Sequence, residues 1–168
     1  MFEKFGEFNS AEEINRAVAA KLAEGDTEAI LSIAEENGID KEDAQDYIDG
    51  MVDEMVTPLM AAVSKVELES KVLKINGILS DWKGIILQQC SDDVEFCRAV
   101  RRKGKELKQC MAALIKYSFE NKVQVSDDIV KSTKVINHGK EEPLRGPLYL
   151  GVPNATEAKR IIREYYLG

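Results

Sequence analysis

Residues 105–121 constrain the fold of this chain more tightly than any other stretch. Leu107, Cys110, Met111, Leu114, Ile115, Ser118 and Phe119 recur at steps of three and four. That spacing draws the apolar stripe of a helix with one buried face. Lys105, Lys108, Lys116 and Glu120 take other positions, and no Pro or Gly interrupts the run after Gly104. A helix this apolar on one side must be covered by other elements, and the flanking sequence offers more stripes of the same period. The expected class is therefore mainly α.

Upstream, Ser10-Ala11-Glu12-Glu13 has capping-box spacing. Ile14, Ala17, Val18 and Leu22 then mark a helix that stops near Gly25. Asp26 is placed to cap a second helix bearing Ile30, Ile33 and Ala34, closed by Asn37-Gly38. Asp40 opens a third, with Ala44, Tyr47 and Ile48 turned inward, ending near Gly50. Phe2, Phe5 and Phe8 recur at every third position and are expected to pack across these helices. The spacing predicts a helical lobe over residues 1–56 and a helical core over residues 57–168.

Thr57-Pro58 reads as a hydroxyl cap followed by Pro in the first helical turn. Apolar positions run on through Leu59, Val63, Val66, Leu68, Val72, Ile75, Leu79, Trp82 and Ile86, with a change of phase near Asn76-Gly77. Either one bent helix spans residues 58–89 or two helices break at Gly77. Because Gly inside a helix costs only about 1 kcal/mol, the long central helix is preferred. Ser91-Asp92-Asp93 caps the next helix, with Phe96, Cys97 and Val100 inward. Val123 and Val125 suggest a short extended piece, and Ser126 caps a brief helix around Ile129 and Val130. Lys134-Val135-Ile136 and Leu148-Tyr149-Leu150 read as short strands flanking a polar loop, a small β-hairpin near residues 134–150. Asn154-Ala155-Thr156-Glu157 caps a closing helix that buries Ala158, Ile161, Ile162 and Tyr165.

At 44% hydrophobic and 32% charged residues, the composition suits a globule with a real core rather than a disordered chain. No run approaches the roughly 20 apolar residues of a membrane span, and residues 1–7 lack a signal-peptide pattern, so a cytoplasmic location with no membrane contact is expected. Cys90, Cys97 and Cys110 form no C-x-x-C pair and are expected to be reduced and buried.

Charge is divided unevenly. Residues 1–60 hold 16 acidic and 4 basic side chains, and residues 61–168 hold 14 acidic and 19 basic. Two candidate surfaces follow. The first is an acidic face of Glu35, Glu36, Asp40, Glu42, Asp43, Asp46, Asp49 and Asp53, continued by Glu54. Asp40, Asp43, Asp46 and Asp49 lie three apart, which is helical spacing and not the alternating ligand pattern of an EF-hand loop. Such a face is either solvated or docks a basic partner, including one whose groove otherwise holds phosphates. The second is the basic patch of Arg98, Arg101, Arg102, Lys103, Lys105 and Lys108. If the helix continues through Gly104, Arg98, Arg101, Arg102 and Lys105 share a face that could hold phosphates. Gly139, Gly146 and Gly151 form no nucleotide-binding loop, and His138 sits in a polar turn without a local nucleophile. No catalytic group, metal or cofactor is indicated, and an enzyme is not expected.

From Lys105 onward the order of features carries a resemblance. Lys105-Glu106-Leu107-Lys108-Gln109-Cys110-Met111 leads through Ile115-Lys116-Tyr117-Ser118-Phe119 into a polar link. An extended Pro147-Leu148-Tyr149-Leu150-Gly151-Val152 piece follows, and an acid-capped helix ends in Ile161-Ile162-Arg163-Glu164-Tyr165-Tyr166. This resembles the C-terminal unit of the PcfK-like proteins of conjugative and mobile elements, a family with anti-CRISPR relatives that inhibit Cas9. The resemblance implies a non-enzymatic accessory protein of a bacterial mobile element, an anti-CRISPR protein that binds Cas9 or its guide complex. The residues themselves leave two alternatives open: a nucleic-acid-binding module using the patch at 98–108, and a structural or oligomerising protein whose helix 58–89 pairs with that of a second copy in a homodimer.

Overall fold

The computed structural model describes residues 4–168; the expected packing of Phe2 falls outside them. The fold is mainly α. Three short helices open it: α1 (Ala11–Ala23), α2 (Thr27–Glu36) and α3 (Lys41–Ile48). Each begins where its cap residue predicts. Ser10 Oγ accepts from Glu13 N at 3.1 Å, Asp26 Oδ1 from Ala29 N at 3.0 Å, and Asp40 Oδ1 from Glu42 N at 3.1 Å. These bonds satisfy amides that a helix start otherwise leaves unpaired. Ile14, Val18, Ile30, Ile33, Ala44 and Tyr47 close over one another, with Phe5 and Phe8 half-buried against them. Asn15 on α1 both donates to Val56 O at 2.8 Å and accepts from Val56 N at 3.0 Å, which fastens the segment after α3.

Next come α4 (Pro58–Leu73), α5 (Ile78–Asp92), α6 (Val94–Arg101) and α7 (Leu107–Glu120), and the chain closes with α9 (Ala155–Leu167) after a short α8 (Asp127–Ser132). Trp82, Ile86, Phe96, Val100, Leu107, Leu114, Ile162 and Tyr166 form the larger apolar cluster, where Phe96 and Tyr166 meet edge to face at 5.6 Å. Each such side chain contributes roughly 1.5–3 kcal/mol by burial. Helix α4 serves both clusters. Ala61 belongs to the first and Ala62 to the second, because neighbouring residues point about 100° apart around a helix.

Four expectations are corrected here. The long helix over 58–89 is broken. Lys74 takes a left-handed conformation (φ 51°), and Gly77 adopts φ 56°, ψ −136°, a region in which glycine is at ease. The break lets α5 fold back on α4, seats Trp82 and Ile86 in the core and brings Lys83 Nζ to 3.0 Å from Glu67. That burial outweighs the continuity of one helix, and the phase change at Asn76-Gly77 was its trace in the sequence.

The hairpin is paired differently from the expected one. Strand β2 (Lys134–Asn137) pairs with β3 (Lys140–Pro143) around a tight turn at His138-Gly139, both with positive φ, as a two-residue hairpin turn requires. Strand β4 (Tyr149–Leu150) instead pairs with β1 (Val123–Gln124). Gly151 makes that docking possible: a Cβ there would lie 2.1 Å from Ser118 O at the end of α7.

On α7 the stripe is cut short. Leu107, Cys110, Met111 and Leu114 are buried, whereas Phe119 is 68% exposed and Ile115 is also exposed. Among the described residues no element covers the last turn on that side. On α9, Tyr166 rather than Tyr165 is the buried ring, with Tyr165 half-buried beside it. Among the described residues no helix is long and apolar enough to cross a membrane.

Candidate functional site

The predicted acidic face is real but uneven. Glu35, Asp40, Glu42, Asp46, Asp49 and Asp53 are exposed, as is Glu54, while Glu36 and Asp43 are half-buried. Several carboxylates have local duties. Asp40 caps α3, and Asp49 Oδ1 accepts from Gln45 Nε2 at 3.0 Å. Glu36 reaches back to the N-terminal segment, accepting from Lys4 N at 2.8 Å and Phe5 N at 3.0 Å. Burial pushes its carboxyl up, but these backbone donors win and hold it below the ordinary carboxylate value. Glu42, Asp46, Asp53 and Glu54 project without such partners among the described residues. Met51, 74% exposed, and Val52 interrupt the carboxylates between Asp49 and Asp53. Among the described residues no group of three or more His, Cys, Asp or Glu side chains is gathered as a metal would need.

The basic patch does not form as expected. Helix α6 stops at Arg101, Arg102 is extended (φ −52°, ψ 140°), and Gly104 turns the chain with φ 79°. The face that a continuous helix would have built is therefore absent. Arg98 is held by Glu95 and by Glu12 at 3.6 Å. Lys105 Nζ donates to Tyr165 O at 2.7 Å and lies over the Tyr165 ring, and Lys108 pairs with Glu106 at 2.5 Å. Arg102 and Lys103 remain exposed.

Arg101 is the largest departure: only 1% of it is exposed. Its Nε donates to Phe8 O at 3.1 Å, one terminal nitrogen to Ala61 O at 3.2 Å, and the other to Asn37 Oδ1. Asn37, itself fully buried, donates to Ile33 O at 2.9 Å. Burial lowers the Arg101 guanidinium to about 10, so it is still charged at neutral pH.

Beside it Lys65, also 1% exposed, donates to Arg102 O at 2.8 Å and pairs with Glu7 at 2.9 Å. Glu69, one turn along α4, accepts from Leu107 N at 2.6 Å, and burial raises its carboxyl above the ordinary value. Lys103 N donates to Asn9 Oδ1 at 3.0 Å, and Asn9 N donates to Glu13 Oε2 at 2.7 Å.

These residues make a polar junction between the two apolar clusters, roofed by the irregular segment 4–9. Sequence reasoning missed Lys65, Glu69, Asn37 and Glu7. One signal was present. Lys65 stands a turn after Ala61 and next to Val66, on a stripe that otherwise goes inward, and a charge there calls for buried partners.

Beside the roof lies an open cavity of about 500 Å³, walled by Phe5, Phe8 and Ala17 and by the charged Glu7, Arg16 and Lys103. The three cysteines are free and buried; Cys97 Sγ donates to Cys90 O at 2.9 Å. Burial pushes the Cys90 and Cys110 thiols up to about 12, which disfavours the nucleophilic thiolate. His138 sits exposed at the hairpin tip, whereas the three thiols are buried. No family model, curated protein or solved structure matches the chain.

Proposed function

We propose that this chain is a non-enzymatic binding protein that docks a basic partner on its acidic face. One observation carries the reading: Glu42, Asp46, Asp53 and Glu54 stand in solvent, and Met51 and Val52, which lie between Asp46 and Asp53 in the chain, are exposed with them. Apolar contact rimmed by one sign of charge suits a Lys/Arg-lined surface with its own apolar centre, and the field steers the encounter. The basic segment supports nucleic-acid binding less well, because Arg101 is buried and Arg98, Lys105 and Lys108 are paired within the molecule. The likeness to PcfK-like proteins makes Cas9, with or without its guide RNA, the first partner to test. In that narrower reading the protein is an anti-CRISPR accessory of a mobile element, and its carboxylates occupy a groove that otherwise takes phosphates.

The test is a DNA-cleavage assay with Cas9–guide complex alongside direct binding titrations. Wild-type protein should bind and inhibit, and a Glu42→Lys, Asp46→Lys, Asp53→Lys triple variant should lose both. Equal inhibition by the triple variant would remove the acidic face from the mechanism. If Cas9 is not bound, a Lys/Arg-rich amphipathic peptide probes the broader reading. Binding should weaken as salt rises and vanish in the triple variant; binding that ignores both would defeat it.

A further inference from the structure

The geometry points to a peptide-recognition groove at the junction of α1, α2, α4 and α6, occupied in this structure by the chain's own residues 4–9 as an internal ligand. The ligand it would take in exchange is an extended acidic peptide with an aromatic–x–Glu–aromatic core, the pattern of Phe5-Gly6-Glu7-Phe8. Glu36 apart, the groove's residues are not those of the acidic face.

Segment 4–9 forms no helix and joins no sheet, yet it is held along its length by residues of α2, α4 and α6. Glu36 on α2 accepts the Lys4 and Phe5 amides at 2.8 and 3.0 Å. Phe5 and Phe8 pack half-buried on the first apolar cluster. Lys65 on α4 grips the Glu7 carboxylate at 2.9 Å, and Arg101 on α6 binds the Phe8 carbonyl at 3.1 Å. Amide capture, two apolar seats, one carboxylate seat and one carbonyl seat are the components by which grooves read extended peptides.

The chemistry selects a carboxylate. The Lys65 ammonium donates to Arg102 O at 2.8 Å and to Arg101 O at 3.5 Å, and each nitrogen of the Arg101 guanidinium already has an acceptor in Phe8 O, Ala61 O or Asn37 Oδ1. One anionic oxygen seat is left, which matches Glu7 and is too little for the several oxygens of a phosphate. Removing Glu7 would leave Lys65 buried beside carbonyls with its direct ion pair gone and only the Glu69 carboxyl, one turn along α4, acting on it. Glu7 also lines the open cavity, so a competing peptide has a route to that seat. The tether keeps the resident segment at high effective concentration, so peptides in trans face competition until it is weakened.

The experiment titrates a fluorescent peptide of residues 4–9 into full-length protein. Glu7→Ala protein should bind it about tenfold or more tightly than wild type, since its own strap has lost the ion pair. A peptide carrying Ala in place of its Glu, or a Glu7→Ala, Lys65→Met chain, should lose that gain. Equal affinity of wild type and Glu7→Ala, or indifference to the peptide's Glu, would overturn the proposal. Should Glu7→Ala fail to fold, hydrogen exchange on wild-type protein decides. Excess peptide should speed exchange of the Lys4 and Phe5 amides by displacing the strap, and unchanged exchange would refute it.

Discussion

Most carboxylates of residues 35–54 stand outward, whereas the cations of residues 98–108, Arg102 and Lys103 apart, are turned inward or tied to neighbours. Both runs are dense in charge, and by sequence both predict a surface. The difference lies in where the helices end up. Helix α3 lies at the margin of the first cluster and fully buries only Ala44 and Tyr47, so Glu42 and Asp46 face water while Asp43 is half-buried. Helix α6 lies between the two clusters, and in its last turn only Arg98 faces out: Ala99, Val100 and Arg101 are all buried. A charge in the first setting keeps its hydration. In the second it must find fixed partners, because burying an ion without them costs several kcal/mol. The lesson is that charge density along a chain does not mark a binding surface until the packing around it is known.

Replacing Arg101 should break this contrast most severely. Arg101→Ala strands Asn37 and the Phe8 and Ala61 carbonyls and should cost about 3–5 kcal/mol in chemical denaturation. Arg101→Lys keeps the charge but not the three-way fork, and should recover only part of the loss. Lys65→Met comes next, at about 1–3 kcal/mol, since Glu7 is partly exposed and can rehydrate as the strap loosens. Faster exchange of the strap amides should accompany that loss. An unchanged denaturation midpoint for either substitution would mean that the junction is not a structural keystone.

Glu69→Gln sharpens the comparison through pH. Burial raises the Glu69 carboxyl above its ordinary 4.5, so its stabilising share is whole below that pH and is lost as pH climbs through the raised value. The Gln variant, which keeps an acceptor for Leu107 N, should therefore melt higher than wild type at pH 7. The two should converge below pH 4.5; a gap that persists in acid would point to a cause other than ionisation. Smallest of all, reversing Glu42, Asp46 and Asp53 together should shift stability within about 0.5 kcal/mol per site, because these side chains serve no fold contact. A large loss would show that the acidic face is structural and would confuse its use as a binding probe.

Much of the helical framework was legible because its determinants are local. Ser10, Asp26, Asp40, Thr57, Asp93 and Asn154 each cap a helix through an amide two or three residues ahead. The stripes Ile30-Ile33-Ala34, Phe96-Cys97-Val100 and Ala158-Ile161-Ile162 all go inward. Capping bonds and 3.6-residue periodicity act within a turn or two, so sequence alone determines them. The tertiary structure decided what depends on distant partners. Strand β4 joins Val123-Gln124, reached only once α7 and Gly151 are in place. Helices α4 and α5 part at Lys74 and Gly77 because a core assembled from α6, α7 and α9 rewards folding back. Arg101 is buried by Phe8 O, Ala61 O and Asn37, residues far away in the chain that meet it only after both clusters close. Sequence placed the charges along the chain; packing between distant helices chose which of them keep their water.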